Sequence, residues 1–95
     1  MIIVAGFLRV DPDQRTSYLQ DCEGVIRAGR SAPGCIDFHM SADPLQADRI
    51  NIFEQWDSAM SVEAFRGSGP SDDQQATITE ANVLQHEIAS STSLT

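Results

Sequence analysis

The chain has no lysine: its six basic residues are all arginine, set against fourteen Asp and Glu for a formal net charge of −8. Without a side-chain amine there is no imine to form, which rules out Schiff-base chemistry and a lysine-anchored pyridoxal cofactor. The acidic balance repels a phosphate backbone and argues against nucleic acid as a partner. Long apolar runs are lacking as well. The ten-residue opening MIIVAGFLRV is roughly half of what a membrane-crossing helix needs, so no membrane partner is expected. It carries neither a basic leader nor a small-residue cleavage site and reads as the first strand of a cytoplasmic protein. Cysteine is scarce. Cys22 and Cys35 fall on apolar stripes of different elements with no CxxC or His-rich spacing, so reduced, buried thiols are expected rather than a disulfide or a metal site. No histidine and carboxylate spacing looks like a metal site, and no metal or other cofactor is expected.

What is present fits one domain, residues 1–95, with a single small core. After the apolar run ending at Val10, Asp11 stands as an N-cap, Pro12 at the first helical position and Gln14 three residues after the cap. Tyr18, Leu19, Cys22, Val25, Ile26 and Gly29 then recur at helical spacing, and Ala32 to Gly34 stops the helix. CIDFHMSAD alternates as a strand, sending Ile36, Phe38 and Met40 to one face and Cys35, Asp37 and His39 to the other. RINIFEQW alternates again, with Ile50, Ile52, Glu54 and Trp56 opposite Asn51, Phe53 and Gln55. Ser58 caps a short helix over Ala59 to Arg66, broken by Gly67 to Pro70. A second helical piece is expected from about Asp72 to Ala81, and NVLQHEIA closes as a strand.

Strand, helix, strand, strand, broken helix, strand is the split βαβ order. It predicts an α+β, ferredoxin-like βαββαβ fold, an antiparallel four-stranded sheet with helices on one face. One helix layer covers one face only, yet the first strand is apolar on both sides and Phe53 opposes Ile50 and Ile52. The uncovered face is expected to meet a second copy, giving a homodimer.

Glu54 and Trp56 share a face where a strand exits toward the helices. The indole is expected to wall a cavity and offer its N–H to a ligand, against the plainer reading of a core aromatic. Glu54, buried without a cation, would serve as a general base; paired with an arginine, such as Arg9 or Arg49, it would be a structural anchor. His39 points to the dimer side or to solvent if Ile36, Phe38 and Met40 face the helices, and into the cavity if the faces are exchanged. His86, on the last strand, could reach a cavity or the partner chain. Either imidazole could take a phenolic proton. Asn51, Gln55 and Tyr18 are candidate polar contacts, and Met60, Val62 and Phe65 are core or apolar cavity wall, as is Phe38.

PGCIDFHMSADP, RINIFEQWDS and VEAF together resemble the antibiotic biosynthesis monooxygenases, including their quinol monooxygenase branch. The shared features are a Pro-Gly-Cys turn into the second strand, Glu-x-Trp at the end of the third, and Ser-x-x-x-x-Glu-Ala opening the next helix. The resemblance implies a dimeric α+β barrel. It also implies oxygen insertion into small aromatic, quinol or polycyclic phenolic substrates using O2 without metal, haem or flavin. Many relatives carry histidine after the Glu-Ala, where this chain has Phe65, so chemistry that depends on that imidazole does not transfer, and haem degradation is disfavoured. The expected site is Trp56, Glu54 and His39 as catalytic residues, with Phe65, Met60, Phe38, Asn51 and His86 at the substrate. Rival readings on the same scaffold are a cofactor-free isomerase or decarboxylase and a non-catalytic binder of small aromatic ligands.

Overall fold

The computed structural model describes residues 1–67 and 77–95. Strand β1 (Ile2–Val10) alternates as its sequence requires: Ile2, Val4, Leu8 and Val10 are buried beneath the helices, and Ile3, Ala5, Phe7 and Arg9 occupy the other face. The Asp11 carboxylate accepts from the backbone N–H of Asp13 at 2.9 Å, and Pro12–Gln14 form one 3-10 turn leading into helix α1 (Arg15–Asp21). The single helix predicted from this cap is two pieces. α1 gives way at Cys22 to α2 (Glu23–Ser31), and the Cys22 N–H is shared between the carbonyls of Tyr18 at 3.0 Å and Leu19 at 3.2 Å. Gly24, among the weakest helix formers, sits just past the break.

The chain leaves α2 through Ala32 and Pro33 and turns at Gly34, whose φ of 85° suits glycine. A Cβ there would collide with Asp57 and Ser61. Strands β2 (Cys35–Ala42) and β3 (Arg49–Trp56) follow as an antiparallel pair. Their connection is closed by the Arg15 guanidinium, which donates to the carbonyls of Asp43, Gln46 and Arg49 at 3.2, 2.7 and 3.3 Å. Helix α3 (Ala59–Arg66) begins at the predicted Ser58 cap, whose hydroxyl accepts from the Ser61 N–H at 3.3 Å.

Strand β4 (Ile78–Glu87) corrects part of the sequence reading. Residues 78–81 pair with β1 as strand instead of ending a helix, consistent with the β-branched run Thr77-Ile78-Thr79. The remainder of that predicted helix, residues 72–76, lies outside the described residues. The sheet order is β2-β3-β1-β4, antiparallel throughout, which is the ferredoxin-like arrangement expected.

Two core clusters lie between sheet and helices. Ile2, Val4, Phe38, Trp56 and Val62 form one; Leu8, Val10, Tyr18, Cys22 and Ile50 form the other. Gly6 sits in the middle of β1 at a φ of 153°, and a Cβ there would strike the Asn82 carbonyl of β4 and approach the Val83 Cα to 2.8 Å. Backbone cannot yield as a flexible side chain does. Gly6→Ala should therefore cost at least about 2–4 kcal/mol and lower the midpoint of thermal unfolding by more than about 10 °C. A melting curve matching the unmodified chain would show that β1 and β4 can separate there freely.

Candidate functional site

The helix layer does not fill its side of the sheet. A cleft of about 700 Å³ remains, floored by Leu8, Phe38, Met40, Ile52 and Val83 from the strands and walled by Tyr18, Cys22, Val25 and Ala28 from the first helical pair. Met60, Ser61, Ala64, Phe65 and Arg66 of α3 line it too, with Ala32, Pro33 and Ile78. The lining is apolar except at a few points, and among the described residues Glu54 is its one carboxylate.

Glu54 is 2% exposed, and both of its oxygens are occupied. Oε1 accepts from the Trp56 indole N–H at 3.0 Å, and Oε2 accepts from Arg66 Nη2 at 2.7 Å. Burial pushes the carboxyl above its ordinary pKa; the Arg66 charge and the two hydrogen bonds pull it down without cancelling that rise. The group is thus a desolvated carboxylate held in one orientation from two sides, and its pairing with an arginine meets the condition for a structural anchor. Arg9 and Arg49, the partners considered from sequence, belong to the other face of the sheet. Arg9 pairs there with Asp48 at 2.8 Å, and Arg49 donates to Asn51 at 2.7 Å. Both guanidiniums stack over Phe7.

Trp56 is wholly buried and does not line the cleft. Its ring lies behind Phe65, with centroids 5.4 Å apart, and meets Phe38 edge-on at 6.4 Å. The expected cavity wall is therefore Phe38 and Phe65, and the indole N–H is committed to Glu54. Trp56→Phe removes that donor and leaves a small void, for a combined cost of about 2–4 kcal/mol. The void cost is independent of pH, whereas the lost hydrogen bond weighs on ionised Glu54. Chemical denaturation should therefore show a larger loss at neutral pH than below the ordinary carboxylate pKa. Equal losses at both would mean that the indole contributes packing alone.

The strands bring only some of the predicted residues together. Ile36 bulges out of the β2–β3 ladder between Cys35 and Asp37, and Phe38 and Met40 then face the helices. That places His39 on the open face, where its ring lies 5.4 Å from Phe53 and its Nε2 is 3.1 Å from an Asp37 carboxylate oxygen. His39 thus does not join Glu54 in the cleft. Asn51 and His86 are on the open face too, paired with Phe7 and Ile3 of β1. Asn51 donates to Asp43 at 2.8 Å. Met60 reaches the cleft rim while 79% exposed.

Sequence reasoning missed Arg66 as the partner of Glu54. Its placement in the last turn of a helix capped two residues after Trp56 was the available clue. It also missed the pairing of Tyr18 with Cys22, one helical turn apart. Burial and the neighbouring thiol push the Tyr18 phenol up to about 12, and burial raises the Cys22 thiol as well, so both stay neutral. Among the described residues, no three or more His, Cys, Asp or Glu side chains gather as a metal ion would require. None of the described helices is long and apolar enough to cross a membrane.

The sequence profile described as antibiotic biosynthesis monooxygenase matches residues 1–80. A solved structure from Deinococcus radiodurans, provisionally described as an antibiotic biosynthesis monooxygenase, superimposes with a TM-score of 0.86 at 19% identity, covering 100% of this chain and 99% of that one. One from Chloroflexus aurantiacus with the same provisional description gives a TM-score of 0.74 at 22% identity, covering 99% and 98%. At such identities the likeness speaks for the fold. An uncharacterized Synechocystis protein is 33% identical over 55 residues, 58% of this chain; the match spans only 37% of that relative's length.

Proposed function

The chain belongs to the antibiotic biosynthesis monooxygenase family, and from that premise we propose that it oxidises a hydroquinone or polycyclic phenol with O2, without metal, haem or flavin. The observation that carries this reading is Glu54, a buried, doubly hydrogen-bonded carboxylate bordering an otherwise apolar cleft. A volume of about 700 Å³ lies within the usual range for small-molecule sites. Phe38, Phe65 and Met60 supply flat or adaptable apolar contacts, and Trp56 acts as a positioning residue behind the base. His39, Asn51 and His86 belong in this reading to the surface that meets a second copy. The reduced thiols of Cys22 and Cys35 suit a reducing cytoplasm.

For an anthrone, Glu54 takes a proton from the substrate, leaving an electron-rich anion. The anion gives one electron to O2, and the dry cleft holds substrate radical and superoxide until they combine. Glu54 returns its proton to the resulting peroxide, and loss of water leaves a carbonyl. The sum is one CH2 and one O2 in, one C=O and one water out.

Oxygen uptake by metal- and flavin-free protein across a panel of quinols and anthrones tests the proposal. Silence across the panel overturns it. Turnover of the same compounds under strict anaerobiosis would instead assign Glu54 to an isomerase or decarboxylase.

A further inference from the structure

Building on the proposed role of Glu54 as base, we propose that Arg66 binds the oxyanion of the ligand once Glu54 has taken its proton, so that the cleft selects apolar molecules carrying one acidic hydroxyl. Three observations converge on Arg66. Among the described residues it is the one cation lining the cleft. Among the described residues its only hydrogen-bond partner is Glu54, which occupies one of five guanidinium N–H donors. The pair is also asymmetric: the Arg66 side chain is 49% exposed and the Glu54 side chain 3%, so the guanidinium can swing toward a ligand while the carboxylate stays fixed.

Charge conservation gives the exchange its direction. Before the step the cleft holds a carboxylate, a guanidinium and a neutral phenol. The phenol O–H bond breaks and an O–H bond forms on Glu54; the cleft then holds a neutral acid, a guanidinium and a phenolate. No net charge appears in the apolar surroundings, and the ion pair passes from one oxygen to another. Among the described residues, the other polar groups near the site carry no positive charge to pair with the phenolate. The Trp56 N–H is committed to Oε1. The Cys35 thiol of β2, raised first by its own burial and then by the Glu54 charge, stays neutral, as do Tyr18 and Cys22 at the first helices. Among the described residues, β1 and β4 contribute Leu8, Ile78 and Val83 alone, all apolar.

The test uses 2-hydroxyanthraquinone, a dye whose ionised form absorbs at longer wavelength, with occupancy followed by quenching of the sole tryptophan. In buffer one pH unit below its own pKa the free dye is mostly neutral. Bound to the unmodified chain it should be mostly ionised, an apparent shift of tenfold or more. Arg66→Gln should return the bound dye to its neutral spectrum, and Arg66→Lys should keep part of the shift. Glu54→Gln should ionise the dye as fully or more, because Arg66 then has no competing carboxylate. A dye that stays neutral on the unmodified chain, that ionises equally on Arg66→Gln, or that never quenches Trp56 overturns the inference. Oxygen uptake is read separately. A chain that oxidises quinols yet leaves the dye neutral keeps its proposed function and loses this role for Arg66.

Discussion

A Glu54→Gln chain should lose oxygen uptake by a factor of about 10²–10⁴, the range supplied by a positioned general base, while melting no lower than the unmodified chain at neutral pH. The two halves of this result come from one substitution. Glutamine keeps an oxygen to accept the Trp56 N–H at the Oε1 position, so the packing of Trp56, Phe38 and Phe65 is undisturbed. It removes a buried negative charge whose desolvation outweighs its attraction to Arg66. Arg66 is half exposed and is rehydrated when released. The linkage has a definite sign. The folded pKa of Glu54 lies above its unfolded value, so its favourable contribution is full below the ordinary carboxylate pKa and is lost as pH rises through the raised folded value. Glu54→Gln should therefore flatten the dependence of melting temperature on pH across that window. The activity of the unmodified chain should rise with pH through the same raised value, since only the ionised carboxylate accepts a proton. Oxygen-electrode and thermal-melt series on both chains measure this, and undiminished turnover by Glu54→Gln would take Glu54 out of the chemistry.

The fold was legible because it rests on local periodicity. Alternation in RINIFEQW and the Ser58 cap return β3 and α3 with their observed limits. Even-numbered β1 positions other than Gly6 are buried, as the apolar pattern requires. What failed was sensitive to a single residue or to long-range packing. The break at Cys22 leaves both helical pieces with the same buried stripe, so periodicity does not register it. In the site, parity alone excludes Arg49 as the partner of Glu54, because five residues along one strand separate opposite faces. For β2 the same parity rule holds only beyond the bulge at Ile36, and it sends His39 away from Glu54. The Arg66 contact spans twelve residues and a turn, so periodicity within one element does not reach it and only the place of Arg66 in the last turn of α3 hints at it. Nor does any pattern distinguish an indole lining a cleft from one sealed a few ångströms behind it.

On the homodimer proposed below, Phe53→Asp should give single chains. In each copy the face turned away from the helices carries a row in which Ala5 lies between Phe53 of β3 and Leu84 of β4, with Ile3 and Phe7 on either side along β1. Leu84 is 56% exposed in the isolated chain. Charge is confined to the ends of this row, where Arg9, Arg49, Asp48 and Glu80 surround Phe7 on one side and Asp37 holds His39 on the other. An apolar centre with a charged rim is the composition of a protein interface. We propose that two copies meet there face to face about a two-fold axis. Burying roughly 800 Å² per copy at ~25 cal/mol per Å² supplies a gross ~20 kcal/mol per partner, enough to outlast the cost of association. A two-fold axis places two copies of every substitution in one interface, so Phe53→Asp buries two unpaired carboxylates at its centre. A loss of about 4 kcal/mol or more, a thousandfold in Kd, is the expected scale. Sedimentation equilibrium reads the change directly. The cleft residues all belong to one chain and face the opposite side of the sheet, so the dissociated variant should still bind the dye and quench Trp56, which separates loss of the dimer from loss of the fold. An unmodified chain that sediments as a monomer, or a Phe53→Asp chain that dimerises unchanged, would leave this apolar row without an occupant and return His39, Asn51 and His86 to solvent.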